Sequence, residues 1–514
     1  MQRVDAAERA RGPRRLGDPR RRLEGAPEAR HEGVAVEAVD RVDVDALRRD
    51  RAEAIDCAAL SARVTVIEGC AIATVDDERR EIADGHIVCA DGRIAALGTG
   101  RAPAAGDGAR RIDGRGKLAT PGLVNCHHHL YQHATRGYAQ QATLFEWLVA
   151  LYPVWLHVDD AVVDAAARAG LAALARSGCT TSTDHHYIFP RDAGDLLAVE
   201  IAAARAIGLR FHPCRGAMDL GAGAGGLPPD ELVEDRDAIL AASAAAIDRF
   251  HDPEPGAMVR IALAPTSPFS VTGELMAETA ELARARGVRL HTHLAETDDE
   301  EAFCLERFGV RPLRYVEDLG WLGDDVWLAH CVHLDGAEAE RLGATGTGVA
   351  HCPTSNGRLG AGIARVPALL AAGAPVGLGV DGAASNECGE LVDELRAALM
   401  LARVNGGPGA LTARDALEMA TRHGARCLGR DDELGHLSVG ALADVALWDL
   451  GEPGYAGIAD AVAALAFGPT RPVDLLLVGG EVVVQDGELR TADPVTLAAD
   501  LARQSARMAE RSAR

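Results

Sequence analysis

Eight short strand-like stretches between residues 120 and 432 each run into polar residues, and Ala-rich helical text separates several of them. They read LVNCHHH (123–129), CTTSTDHH (179–186), LRFHPCRG (209–216), MVRIALAPTS (258–267), RLHTHLAE (289–296), VWLAHCVH (326–333), GVAHCPTSN (348–356) and VGLGVDG (376–382). Such alternation predicts an α/β fold of the (β/α)8 barrel type, whose chemistry sits at the C-terminal strand ends. The polar residues cluster at those ends.

The flanks differ in texture. Residues 62–119 and 433–490 carry short alternating strands, with Asp91-Gly92 and Asp113-Gly114 as hairpin signals between apolar runs. They are expected to form one small β-sandwich domain interrupted by the barrel at 120–432, with a C-terminal helix in 491–514. Residues 1–61 mix Arg with acids and lack apolar periodicity, so a solvated or disordered extension is expected.

Charge and composition exclude several functions. There are 53 Lys+Arg against 76 Asp+Glu, a net charge of −23, which argues against a nucleic-acid backbone as partner. No apolar run is long enough for a membrane span. The eleven cysteines contain no C-x-x-C pair and read as reduced thiols, so a cytoplasmic protein is expected.

The candidate chemistry begins with His127 and His129, two residues apart at the end of the first strand. Period-2 geometry turns both imidazoles to one face. His293 ends the fifth strand and Asp381 the eighth; together they offer three nitrogens and one oxygen to one divalent ion, Zn²⁺ first and Fe²⁺ as the alternative. His291 is a rival on the same strand face, and the spacing to Glu296 favours His293. Glu296 is placed to shuttle a proton between water and substrate. His330, ending the sixth strand, is placed to hydrogen-bond the attacking oxygen or to orient a neighbour. Cys126, Cys331 and Cys352 read as small core fillers.

Together TPGLVNCHHH, HLAET, WLAHCVH and GLGVDG resemble the amidohydrolase superfamily, in its mononuclear nucleobase deaminase branch, from about residue 63 to 490. The resemblance implies His127, His129, His293 and Asp381 as metal ligands and Glu296 with His330 as the proton-transfer pair. It also implies a homo-oligomer. The binuclear branch needs a carbamylated lysine on the fourth strand; the sole lysine, Lys117, precedes the barrel.

Further stretches, among them HHHLYQ, RFHPCRGAM, GGLPPD, EAFCLERFG and HCPTSNGRLG, resemble the deaminases of 8-oxoguanine. Similar text occurs in enzymes acting on hydroxylated s-triazines and on guanine. This resemblance implies a small heterocyclic substrate held by Gln132 and by Arg215, whose guanidinium could bond a ring carbonyl or form a rim salt bridge. Tyr187, Trp147 and Trp155 either line the pocket or pack the core. The expected reaction is hydrolytic deamination of 8-oxoguanine to uric acid and ammonia, with isocytosine as a minor substrate. Glu296 passes the proton of the attacking water to a ring nitrogen, and His330 with Asp381 stabilises the tetrahedral centre. A hydroxylated triazine or guanine is the alternative substrate. A non-catalytic binding barrel is disfavoured, because the whole ligand set is present.

Overall fold

A computed structural model describes residues 64–105 and 108–514, so the expectation for residues 1–61 lies outside the described residues. Eight parallel strands close into a barrel: β1 (Leu123–Asn125), β2 (Cys179–His186), β3 (Arg210–Ala217), β4 (Ala262–Pro265), β5 (Arg289–Leu294), β6 (Val326–His330), β7 (Gly348–His351) and β8 (Val376–Leu378). Closure comes from Leu378 of β8 pairing with Asn125 of β1. The strands are almost wholly buried because helices cover the outside while side chains fill the inside. Two of the connecting helices end on left-handed glycines, Gly208 and Gly287, that turn the chain into β3 and β5 within a residue or two.

Two helices matter for the site. The first, α1 (Leu144–Trp155), starts at Thr143, whose capping box with Glu146 satisfies free backbone N–H groups. The second, α2 (Asp160–Arg176), is capped by Asp159, which also binds Arg507 and Arg511 at 2.5 and 2.7 Å. Those arginines belong to the C-terminal helix α3 (Pro494–Ser512), which buries Met508 in the aromatic cluster behind α1.

Strands from before and after the barrel join in one nine-stranded sheet. Val445–Asp449 pairs antiparallel with Lys117–Pro121, in the register Val445 to Pro121. Ile67, Ile87, Ile94, Leu447 and Leu477 share one core although they lie far apart in strand order, so the sheet curls over itself. The Asp91-Gly92 turn has both residues at positive φ, as a two-residue hairpin requires.

Asp113-Gly114 is different. Arg110–Asp113 and Lys117–Pro121 both run parallel to Val64–Ala73, so this dipeptide interrupts one strand and makes no hairpin. Gly114 donates to the Glu68 carbonyl at 2.7 Å, and a Cβ there would lie 2.7 Å from that of Cys70. Close approach, not reversal, explains the glycine.

Candidate active site

The strand ends build the site by leaving regular geometry. Beyond β1, His128–His129 pairs with Asp381–Gly382, so the first and eighth strands continue as a two-residue ladder that sets His127 and His129 beside Asp381. Asp381, His330 and Ala295 all have positive φ, unusual for residues with a side chain. At Ala295 this turn swings Glu296 back over the barrel. The Glu300 carboxylate holds it by accepting the N–H groups of Ala295 and Glu296 at 2.8 and 2.9 Å.

Donor atoms of His127, His129 and Asp381 converge, and His293 approaches His129. His127 Nε2 and His129 Nε2 lie 3.4 and 3.3 Å from Asp381 Oδ1, and His129 Nε2 lies 3.1 Å from His293 Nε2. A tetrahedral ion with bonds of about 2.0–2.1 Å needs ligand atoms roughly 3.3–3.4 Å apart. The other ring nitrogens are engaged. His129 Nδ1 donates to the His185 carbonyl at 2.7 Å and His293 Nδ1 to the Thr266 carbonyl at 2.6 Å, which leaves both Nε2 atoms as acceptors facing each other. Two lone pairs at that distance repel unless a cation lies between them. His127 Nε2 is buried with no hydrogen-bond partner among the described residues, and its Nδ1 meets His291 Nε2 at 2.7 Å.

The protonation states match. Burial lowers His129 and His293 well below the usual imidazole range, so both are neutral. Burial acts the other way on Asp381, but the histidines around it keep it ionised. Neutral imidazoles and a carboxylate are the forms a divalent metal requires.

His291 stands one layer deeper. Its Nδ1 faces the Trp327 carbonyl at 2.8 Å and its Nε2 faces His127, so neither nitrogen is free. Thr266 follows β4 near where a bridging lysine would stand; Lys117 instead binds Asp474 at 2.5 Å in the small sheet.

Above the four donors lies a cavity of about 400 Å³, its open mouth included. Glu296, His330, Gln132 and Tyr187 line it, with Trp147, Leu148, Tyr152, Phe269 and Leu359 as an apolar wall. Among the described residues no Arg or Lys lines it. Burial raises the Glu296 carboxyl to about 7 even though His330, 3.6 Å away, pulls it down. For His330, burial opposes the charge, yet the carboxylates of Glu296 and Asp381 outweigh it and raise the imidazole. His330 Nδ1 is 2.9 Å from Asn356 Oδ1, which fixes the ring with Nε2 toward the cavity.

Two expected substrate contacts fall elsewhere. Arg215 is spent on the Gly216 carbonyl and on Glu234 at 2.7 Å, with its guanidinium 3.8 Å over Phe189; it does not line the cavity. Trp155 is fully buried behind the wall and donates to Thr135 at 3.2 Å, while Trp147 reaches the cavity. Sequence reasoning passed over His185, Ser355, Asn356 and Glu300. His185 lies near the end of β2, in CTTSTDHH, and its buried Nδ1 lacks a hydrogen-bond partner among the described residues. Ser355 donates to Asp381 Oδ2 at 2.5 Å.

The amidohydrolase family profile matches residues 118–483, the barrel and much of the split sheet. The chain belongs to the amidohydrolase family. This amidohydrolase is 46% identical over 427 residues to the 8-oxoguanine deaminase of Pseudomonas aeruginosa, covering 82% of this chain and 94% of that one. It is 40% identical to hydroxydechloroatrazine ethylaminohydrolase of Pseudomonas sp. (strain ADP), over 79% and 85% of the two chains. The crystal structure of atrazine chlorohydrolase from Arthrobacter aurescens TC1, complexed with zinc, superposes with a TM-score of 0.81 at 35% identity, over 86% of this chain and all of that one.

Proposed function

We propose that this amidohydrolase is a hydrolytic deaminase of a neutral aminated heterocycle, 8-oxoguanine, releasing uric acid and ammonia. The observation that carries the reading is the facing pair of acceptor nitrogens on His129 and His293, 3.1 Å apart, beneath a buried carboxyl at about 7. His127, His129, His293 and Asp381 would hold one divalent ion, with zinc favoured by the three-nitrogen, one-oxygen set. When bound, the ion supplies Lewis acidity that makes water nucleophilic near neutral pH.

The protein's own groups do the rest. Glu296 sits near its half-protonated point at neutrality, so it can take a proton from water and return one to a ring nitrogen. His330, oriented by Asn356, donates from Nε2 to oxygen charge developing at the attacked carbon. Asp381, its second oxygen bound by Ser355, stays ionised opposite the imidazolium. Tyr187, edge-on to His129, and the apolar wall exclude water from the ring face, while Gln132 offers to a ring N–H an Oε1 that has no hydrogen-bond partner among the described residues. A lining with no Arg or Lys among the described residues suits an uncharged ring better than a phosphorylated or carboxylated substrate.

The test is turnover by zinc-loaded protein, read as ammonia release from 8-oxoguanine, guanine and isocytosine and as alkylamine release from hydroxyatrazine. The reading expects 8-oxoguanine to have the highest kcat/KM and isocytosine a lower one. Preference for hydroxyatrazine would move the substrate to the triazines, and turnover of none of the four would overturn the deaminase reading.

A further inference from the structure

The opposite end of the barrel holds a second cleft, about 510 Å³ with its mouth, that the reaction does not use. The starts of β3, β4 and β5 surround it, and Leu428 and Gly429 close one side. His212, His251, Arg260 and Arg289 line it. Arg430 is fully buried, and its charge acts on His212.

The charges do not balance. Arg430 and Arg260 share a single carboxylate, Glu433, at 2.6 and 3.4 Å. Among the described residues Arg289 donates only to backbone carbonyls, that of Cys427 at 2.9 Å and those of Asp324 and Arg426. Neighbouring acids are already paired: Asp444 with Arg210 at 2.7 Å, Asp325 with Arg284 at 2.8 Å, and Asp431 with Arg426 at 3.0 Å. Arg430 and Arg260 therefore hold one carboxylate between them, in a chain whose net charge is −23. Arg289 has no carboxylate in ion-pair contact among the described residues, although the charges of Asp324, Asp325 and Asp431 act on it from farther away. Buried positive charge in excess is costly without an anion.

A second observation is independent of that count. His212 is 2% exposed and lines the cleft, yet its Nδ1 has no hydrogen-bond partner among the described residues. The same holds for Arg260 Nε and Arg430 Nη1. Two of these unpartnered positions, on His212 and Arg260, belong to residues that line the cleft, with Arg430 behind them, and they call for an oxyanion as acceptor.

We propose that this cleft binds a small oxyanion with the charge and size of phosphate, between Arg260, Arg289 and His212. Guanidinium forks match tetrahedral oxyanions, and the imidazole supplies a neutral N–H donor. The bound anion would tie the starts of β4 and β5 to the segment around Leu428–Glu433. Because the catalytic cavity is at the other end of the strands, the effect falls on stability and not on turnover.

The experiment titrates zinc-loaded full-length protein with inorganic phosphate by calorimetry and thermal unfolding, against chloride at equal ionic strength. Saturable binding of one phosphate per chain is expected, with a Tm that rises with phosphate and not with chloride. Arg260→Gln and Arg289→Gln should each weaken binding about ten- to a hundred-fold, the loss of one charge-assisted bond, and leave deamination unchanged. Arg289→Gln serves if Arg260→Gln, which also gives up Glu433, does not fold. No saturable heat, an equal Tm rise in chloride, or undiminished affinity in the variants would overturn the proposal. So would phosphate that binds only in competition with the heterocycle.

Discussion

Glu296→Gln separates chemistry from metal binding and from stability. Gln keeps the shape but cannot take or return a proton, and general acid–base steps contribute roughly 10²–10⁴ in rate. Because Glu296 is not among the four candidate ligands, metal content should stay at the wild-type value. The carboxyl is 4% exposed, and burial raises it from 4.5 to about 7. Its folded value lies above the unfolded one, so its contribution to stability is complete below the unfolded value and declines as pH rises to about 7. At about 1.36 kcal/mol per pKa unit, the charged form costs about 3 kcal/mol at pH 8 in metal-free protein. A bound cation reduces that cost by favouring the carboxylate. The variant should therefore lose at least about a hundred-fold in kcat, keep its metal, and unfold in urea at higher concentration than wild type at pH 8. Retention of most of the activity, or loss of metal along with activity, would refute the assignment.

Four other outcomes follow from the geometry. Asn356→Ala frees the His330 ring and should lower kcat about ten- to a hundred-fold with the same metal content, as measured by steady-state kinetics and metal analysis. At Gly382 a Cβ would collide with the Gln132 amide, so Gly382→Ala should raise KM for the heterocycle about tenfold or more while the fold persists by circular dichroism. Arg215→Ala should leave KM unchanged and cost about 2 kcal/mol in urea unfolding, since the side chain pairs with Glu234 rather than with substrate. Stability of metal-free protein should peak near pH 6.5. Below that, His128, His133 and His212, kept neutral by burial, cost stability as unfolded imidazoles gain protons. Glu200 and Glu394, raised by burial from 4.5 to about 8, lose their contribution progressively over that interval, outweighed by the histidines below pH 6.5 and unopposed by them above it. A urea series from pH 5 to 9 that rises or falls throughout would contradict this.

The barrel and the gathering of the His and Asp side chains were legible because both follow from strand ends. Eight apolar runs ending in polar residues place His127, His129, His293 and Asp381 at one rim whatever the loops do. Less visible was anything set by packing between distant segments. Arg215 looked like a substrate donor on β3, but Glu234 and Phe189, which claim it, come from loops with no pattern linking them to it. Trp155 and Trp147 share one helix, and only the docking of α1 decides which reaches the cavity. Asp113-Gly114 has the composition of a hairpin, and the pairing of both flanking strands with Val64–Ala73 shows otherwise. Glu300 and Asn356 act through a turn and a ring nitrogen, roles that leave no periodic signal.

The most direct measurement is an anomalous-scattering map at the zinc edge from crystals of the zinc-loaded protein. The account predicts a single strong peak per chain, about 2.0–2.2 Å from the Nε2 atoms of His127, His129 and His293 and from a carboxylate oxygen of Asp381. A map with no peak among those four side chains, or with the ion held by other residues, would contradict it.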